Sequence, residues 1–404
     1  MLPTPGSSPL LHVKEINAAG LSTLLAIAED NPGAAAVLFG TSEDVVRRLL
    51  ALQEREKPVR ERIGYIDMLA DSPAPLFEMG VSASYLHKAA RAPVGDDWCS
   101  ASGPYVKYRD LVRTLNRLLV RSLDRLSWHR VAAVLAFNLP QDVTDAFTEI
   151  SDAEVVQVED HAARPLIRLR ITPKVLDQLF RFLSRPCIDA SLARWILLCN
   201  TTAVEIDDLP HVEPCSAESL AGCAKKGRPE EIPFTKEVSD LCREIGMLGG
   251  TMMTACKLLG PGVNVVGLRR IIAAGREAGV TGGVGWDTNL VTRLMTTSIV
   301  LSSLRLQRAG YDFGAAQIYA YAYYKNYLVA SGGPTIKLDD YVEKIASPLR
   351  RSTVWLGHTS QFDAAHLIID DGVRCEVVPP HASLLDMGRI GDARNARRKM
   401  QIAA

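Results

Sequence analysis

Residues 105–130 read YVKYRDLVRTLNRLLVRSLDRLSWHR, and the period of this stretch decides the fold class. Arginines stand at 109, 113, 117, 121 and 125, and leucines at 111, 115, 118, 119, 123 and 126. Apolar positions three and four apart mark a helix with one face against a core. The spacing predicts a helix over residues 105–127. Similar spacing runs over 17–29, 42–57 and 60–70. Further helices are expected at 174–184, 189–200, 234–258, 263–278, 287–309 and 313–330. Ser42 followed by Glu43 and Asp44 marks a helix start, with acids in the first turn. The expected class is mainly α, with two helical lobes, small β-hairpins and extended N- and C-terminal arms.

Two places break the helical period. AEVVQV at 153–158 and LIRLRI at 166–171 are rich in β-branched residues and predict a β-ribbon turning near His161 to Pro165. HLIIDDGVRCEVV at 366–378 predicts a hairpin with Asp371 and Gly372 at its turn.

Punctuation sets the organisation. Residues 1–15 carry three prolines and read as an N-terminal arm. A helical lobe is expected over 16–204. Residues 205–233 hold four prolines and much charge and read as a linker or surface loop. A second helical lobe is expected over 234–347, followed by a hairpin and a basic arm over 348–404.

The 404 residues contain 46 Lys plus Arg and 46 Asp plus Glu, for a net charge of zero. That excludes a uniformly basic protein of the histone kind, but not a basic face. The eight cysteines form no C-x-x-C pair. The N-terminus lacks a signal pattern and no apolar run reaches membrane length. Reduced thiols and an intracellular home are expected.

Enzyme signatures fail one by one. There is no G-x-x-x-x-G-K-[ST], G-x-S-x-G or H-E-x-x-H. GGVGWDT at 282–288 lacks the third glycine of a dinucleotide fingerprint and follows no strand pattern. His211, Cys215 and Cys223 need a fourth zinc ligand, and Cys199 and Cys242 are the near candidates. The simpler reading is a loop with unpaired thiols. Adjacent acids at 96–97, 207–208, 339–340 and 370–371 point apart and read as turn and cap acids. His358 and His366 are taken to flank a short helical piece. No catalytic residue, metal or cofactor is expected.

Binding has more support. Residues 105–130 hold seven basic and two acidic residues, and four-residue spacing sets the arginines on successive turns. Such a row suits the phosphates of an extended strand, because a planar guanidinium pairs with phosphate oxygens. An arginine stripe also serves as a solvated face with ion pairs. Arg168 and Arg170, on one face of the predicted strand, join Lys174 as a second basic region. The second lobe offers Lys257, Arg269, Arg270 and Lys325. Tyrosines at 319, 321, 323, 324 and 327 accompany small alanines. Tyrosine stacks on bases, but tyrosines at helical spacing usually pack.

IYAYAYYKNYLVASGG, residues 318–333, resembles the Y-A-Y-A-containing helix in the C-terminal lobe of nucleoproteins from non-segmented negative-strand RNA viruses, the rhabdovirus-like ones especially. The resemblance covers about twenty residues within 312–333 and a similar organisation of lobes, linker and arms. It implies single-stranded RNA held in a basic inter-lobe cleft. It also implies homo-oligomers joined through residues 1–15 and 380–404, giving helical or ring-like ribonucleoprotein. A viral polymerase or phosphoprotein is the further partner implied, and the virion and host cytoplasm are the implied locations. On this basis Arg109 through Arg125 line the first lobe, with Arg269, Arg270 and Lys325 opposite. Two other readings fit the residues: a capsid protein of a small double-stranded RNA virus, forming a closed shell, and an enzyme of unrecognised helical fold.

Overall fold

The computed structural model describes residues 9–54, 64–72, 75–91, 106–127, 130–161, 164–173, 176–177, 236–260, 265–279, 283–285, 290–325, 335–351, 354–359, 362–370 and 375–378. The chain is mainly helical over these residues.

In the first half, α1 (Pro9–Asp30) is the element that the others gather around. Its Val13, Ile16, Leu21, Leu24 and Ile27 are at most 1% exposed. Around it lie α2 (Pro32–Leu38), α3 (Glu43–Glu54), α4 (Tyr65–Ala70), α6 (Arg109–Ser127) and α7 (Arg130–Phe137). The helices α5 (Ala83–Ala90), α8 (Gln141–Glu149) and α9 (Asp152–His161) complete the layer. The arm expected over residues 1–15 is shorter than its reading, because α1 begins at Pro9 and buries Val13. Residues 1–8 lie outside the described residues.

The ribbon over 153–158 and 166–171 is corrected. Residues 153–158 belong to α9. Glu154 accepts from both the Ser151 backbone N–H (2.9 Å) and the Ser151 hydroxyl (2.7 Å). Serine followed three residues later by glutamate starts a helix, and this local signal outweighs the β-branched valines. The second strand exists, as β2 (Ile167–Leu169), but its antiparallel partner is β1 (Phe77–Met79). Phe77 faces Leu169, Glu78 faces Arg168 and Met79 faces Ile167.

Two buried asparagines hold this ribbon. Asn17 of α1 donates to the Ser72 carbonyl (3.2 Å) and accepts from Leu76 N–H (3.0 Å). Asn116 of α6 does the same ahead of β2, donating to the Arg164 carbonyl (3.0 Å) and accepting from Leu166 N–H (2.9 Å). Each carboxamide stands in for a neighbouring strand's peptide group. Asn116→Ala is expected to leave backbone groups unsatisfied and cost about 1–3 kcal/mol in urea unfolding. An unchanged midpoint would mean that water replaces the amide.

The second half has α10 (Lys236–Met247), α11 (Met252–Leu259), α12 (Val265–Ala278), α13 (Leu290–Arg308) and α14 (Phe313–Tyr323). The single helix expected over 234–258 is two, α10 and α11, broken at Gly249 (φ 87°) and Gly250. Helices α10 and α12 pack backbone to backbone. A Cβ on Gly246 would lie 2.3 Å from the Ile272 carbonyl oxygen, and one on Gly275 would lie 2.5 Å from the Arg243 carbonyl oxygen.

Helix α13 is buried although it carries many hydroxyls. Thr296, Thr297 and Ser303 donate to the carbonyls of Thr292, Arg293 and Val300, so their polar groups are satisfied within the helix. α15 (Leu338–Tyr341), a wide π-turn at Val342–Ala346 and α16 (Ser347–Arg350) form one helical run. Pro348 has no N–H to donate and would clash with the carbonyl four residues back, which fits the widened turn before it. The expected hairpin is β4 (Phe362–Asp370) against β5 (Cys375–Val378), and β3 (Val354–Thr359) adds a third strand on the other side of β4.

Residues of both halves fall in one hydrophobic cluster, from Val13 to Val354. Helix α7 carries the connection. Residues Ala132 to Phe137 are all buried, and the helix packs on α1, α6 and α8 on one side and on α13 and α14 on the other. The linker over 205–233 and the arm over 380–404 lie outside the described residues. Among the described residues, no helix is long and apolar enough to cross a membrane.

Candidate nucleic-acid interface

Helix α6 presents the arginine row. Val112, Leu115, Leu119, Val120 and Leu123 are buried against the core. Leu111, read as part of the apolar face, is 41% exposed instead, and Val112 takes the inward position. Arg109, Arg117 and Arg121 are exposed and Arg113 is half-buried. Arg125 lies on the same helix, with its side chain outside the described set. A spacing of four residues exceeds the helical repeat, so the row winds about 40° per step while rising about 6 Å. Arg109, Arg113, Arg117 and Arg121 each also interact within the chain, so the row is partly engaged.

The other candidates separate. Arg168 is half exposed and its Nε lies 2.5 Å from Glu78 Oε1. Arg269 and Arg270 are exposed on α12. Lys257 is half-buried, 3.9 Å from Glu343. Lys174 lies outside the described residues.

Arg170 and Lys325 require correction as strand-facing residues. The Arg170 side chain is 7% exposed and its Nε lies 3.3 Å from Glu78 Oε2. It follows β2 inward, because its backbone N–H donates to the Leu76 carbonyl and draws the chain against β1. Lys325 donates its ammonium to the Leu248 carbonyl (3.0 Å), just beyond the end of α10. A lysine at a helix C-terminus satisfies an orphan carbonyl and offsets the helix dipole. Burial lowers the Lys325 pKa, against the pull of Glu244.

The tyrosines of α14 pack rather than stack outward. Tyr321 (2% exposed), Tyr323 (4%) and Tyr324 (2%) are buried. Tyr321 donates to the Ile336 carbonyl, and Tyr341 donates to Gln317, whose amide donates to Ser303 (2.8 Å). Tyr319 is half-buried, edge-on to Tyr311 at 5.8 Å. Tyr327 lies outside the described residues.

The charged cluster that the sequence reading missed centres on Glu78. Arg168, Arg170 and the Asn138 amide (2.9 Å) converge on this one carboxylate. Asn138 follows α7 in the left-handed region (φ 50°), a conformation that asparagine tolerates and that turns its amide toward Glu78. Arg305 of α13, 5% exposed, feels both Glu78 and Arg170. Burial raises the Glu78 carboxyl, but Arg170, the Asn138 amide and Arg168 outweigh it and hold the pKa below the ordinary value. Burial also pulls the Arg170 guanidinium down to about 10, opposed by Glu78 and reinforced by Arg168. A sequence signal for Arg305 existed: an arginine four residues after the buried run Ser298–Leu301 and flanked by Leu304 and Leu306.

The remaining chemical candidates do not assemble. Cys242 is buried in α10, which pushes its thiol up to about 11 and makes it a poor zinc ligand. His211, Cys215, Cys223 and Cys199 lie outside the described residues. Among the described residues, no group of three His, Cys, Asp or Glu is placed to hold a metal. Asp339 is a cap acid, accepting from Thr251 N–H (3.1 Å), and Asp340 pairs with Lys344 (2.8 Å). The helical piece expected between His358 and His366 is a correction: both lie on neighbouring strands, with His358 opposite Ala365 and His366 opposite Gly357. None of the protein-family models, curated proteins or solved structures compared with this chain matches it.

Proposed function

We propose that the protein is a viral nucleoprotein that binds single-stranded RNA without sequence preference and assembles with copies of itself. The observation that carries this reading is the run of arginines on successive turns of α6, of which Arg109, Arg117 and Arg121 are exposed. Neighbouring cationic side chains about 6 Å apart along an axis suit the repeat of a phosphate backbone. Arg168, Arg269 and Arg270 supply further exposed guanidiniums. Arg170 drops out of the direct contact set because its side chain is held inside the fold, and Lys325 because its ammonium donates to the Leu248 carbonyl.

Purified protein is expected to carry host RNA and show a raised 260-to-280 nm absorbance ratio. Arg113→Glu, Arg117→Glu and Arg121→Glu together should lower that ratio. With three phosphate contacts removed, the slope of log affinity against log salt should fall by about 2. A triple variant that stays folded and keeps its RNA would show that the row is a solvated face. Assembly is tested separately by deleting residues 1–8, which stops short of the α1 core contacts. Electron micrographs should then show folded single subunits in place of coils or rings. Closed shells in the unaltered protein would instead support a capsid protein.

A further inference from the structure

Phosphate contacts along the arginine row of α6 would position a strand, but they do not tell a single strand from a duplex. That distinction needs a surface on which an unpaired base can stack, and the buried Tyr321, Tyr323 and Tyr324 of α14 supply none. Such a surface stands beside the row instead. Arg164 is exposed, and its guanidinium carbon lies 5.3 Å from the centre of the Tyr85 ring on α5. Among the described residues this guanidinium meets that ring and no carboxylate. The Arg168 guanidinium, four residues on, is by contrast paired with Glu78. The backbone around Arg164 is fixed. Its carbonyl accepts from the Asn116 amide of α6 (3.0 Å), and the Leu166 N–H donates back to Asn116 (2.9 Å). Pro165, between them, holds its own φ. Arg113 lies one turn before Asn116 on the same side of α6, so Arg164 borders the row at Arg113.

We propose that Arg164, held on Tyr85, stacks an unpaired nucleobase of the strand whose phosphates lie along α6. The site rests on the RNA reading of that row, and it adds what the row by itself lacks, a preference for single strands. A guanidinium is planar and weakly hydrated, so it gives up little water when a base covers it. The ring already holds the side chain, so less rotamer freedom is lost when the base arrives. Every base has a π-face, which makes the stack indifferent to sequence. A base inside a duplex is covered on both faces by its neighbours and does not reach it.

The test titrates the full chain, stripped of host RNA at high salt, into three labelled probes followed by fluorescence anisotropy. They are an oligouridylate of about ten nucleotides, an abasic ribose-phosphate strand of equal length and an RNA duplex of equal length. The unaltered protein should bind oligouridylate about tenfold more tightly than the abasic strand. Arg164→Lys keeps the charge and the backbone contact to Asn116 but loses the plane. It should weaken oligouridylate binding by about fivefold or more and leave the abasic strand and the duplex unchanged. The slope of log affinity against log salt should stay the same, because no charge is lost. Tyr85→Leu, which removes the ring beneath the guanidinium, should follow Arg164→Lys on all three probes. Equal binding of oligouridylate and the abasic strand by the unaltered protein would overturn the stack and leave the RNA reading of the row intact. So would an equal loss on every probe in Arg164→Lys. Displacement of oligouridylate by millimolar uridine monophosphate would overturn the assignment to a base within a strand. Failure of the unaltered protein to bind any of the three probes would overturn both the stack and the RNA reading.

Discussion

Glu78→Gln is expected to destabilise the protein by about 3–5 kcal/mol at neutral pH. Glu78 is 13% exposed at its side chain and is the shared counter-charge for Arg168 and Arg170. The isosteric amide keeps the shape but leaves the Arg170 guanidinium buried beside a neutral group. Charged-group burial without compensation dominates over the single hydrogen bond to Asn138, whose loss alone would cost about 1 kcal/mol. The pH dependence has a definite sign. The Glu78 pKa is depressed in the folded protein, so its contribution is fully present above the ordinary glutamate value of 4.5. It is lost as pH falls through the depressed folded value. Urea unfolding across pH 3 to 7 should therefore show a steeper acid loss in the unaltered protein than in Glu78→Gln. Parallel curves would mean that Glu78 does not carry the charge balance of the ribbon.

Gly275→Val is expected to cost about 3 kcal/mol or more, through the α10–α12 contact. A Cβ on Gly275 would lie 2.5 Å from the Arg243 carbonyl oxygen and 3.0 Å from the Met247 backbone nitrogen. Neither neighbour is the end of a flexible side chain, so relief requires the helices to separate. Across the contact, a Cβ on Gly246 would lie 3.1 Å from the Gly275 Cα. Alanine would gain about 1 kcal/mol of helix propensity over glycine, but valine gains less and adds two methyls to the overlap. Ala274→Val, one residue away on the exposed side of α12, is the control and should cost only a few tenths of a kcal/mol. Equal melting temperatures for the two variants would show that the helices are not in backbone contact.

These two expectations come from features that differ in how far the sequence reveals them. The pair Gly275 and Gly279 is written as G-x-x-x-G, a small-residue pattern that permits close helix approach. The pattern is local, but its partner, Gly246, is not. The convergence on Glu78 has no local signature. Glu78 and Arg168 are 90 residues apart, and nothing beside either in the chain points to the other.

The sequence by itself determined the helical class, the positions of α1, α3, α4, α6 and α10 to α14, and the hairpin of β4 with β5, while α2, α5, α7, α8 and α9 were not read as helices. Each feature it determined follows from contacts within a few residues: a 3.6-residue apolar period, a cap, a turn. It also placed the arginine row on α6, because spacing alone orients residues on one helix. Tertiary structure decided which strand β2 pairs with, which arginines face water and which tyrosines are buried. Periodicity says that a face is apolar without saying what covers it, and a strand edge accepts any partner of suitable register. Those choices are made by the shared core that α7 joins across the two halves. The same packing that carries Arg170 and Arg305 inward leaves Arg109, Arg117 and Arg121 on the surface.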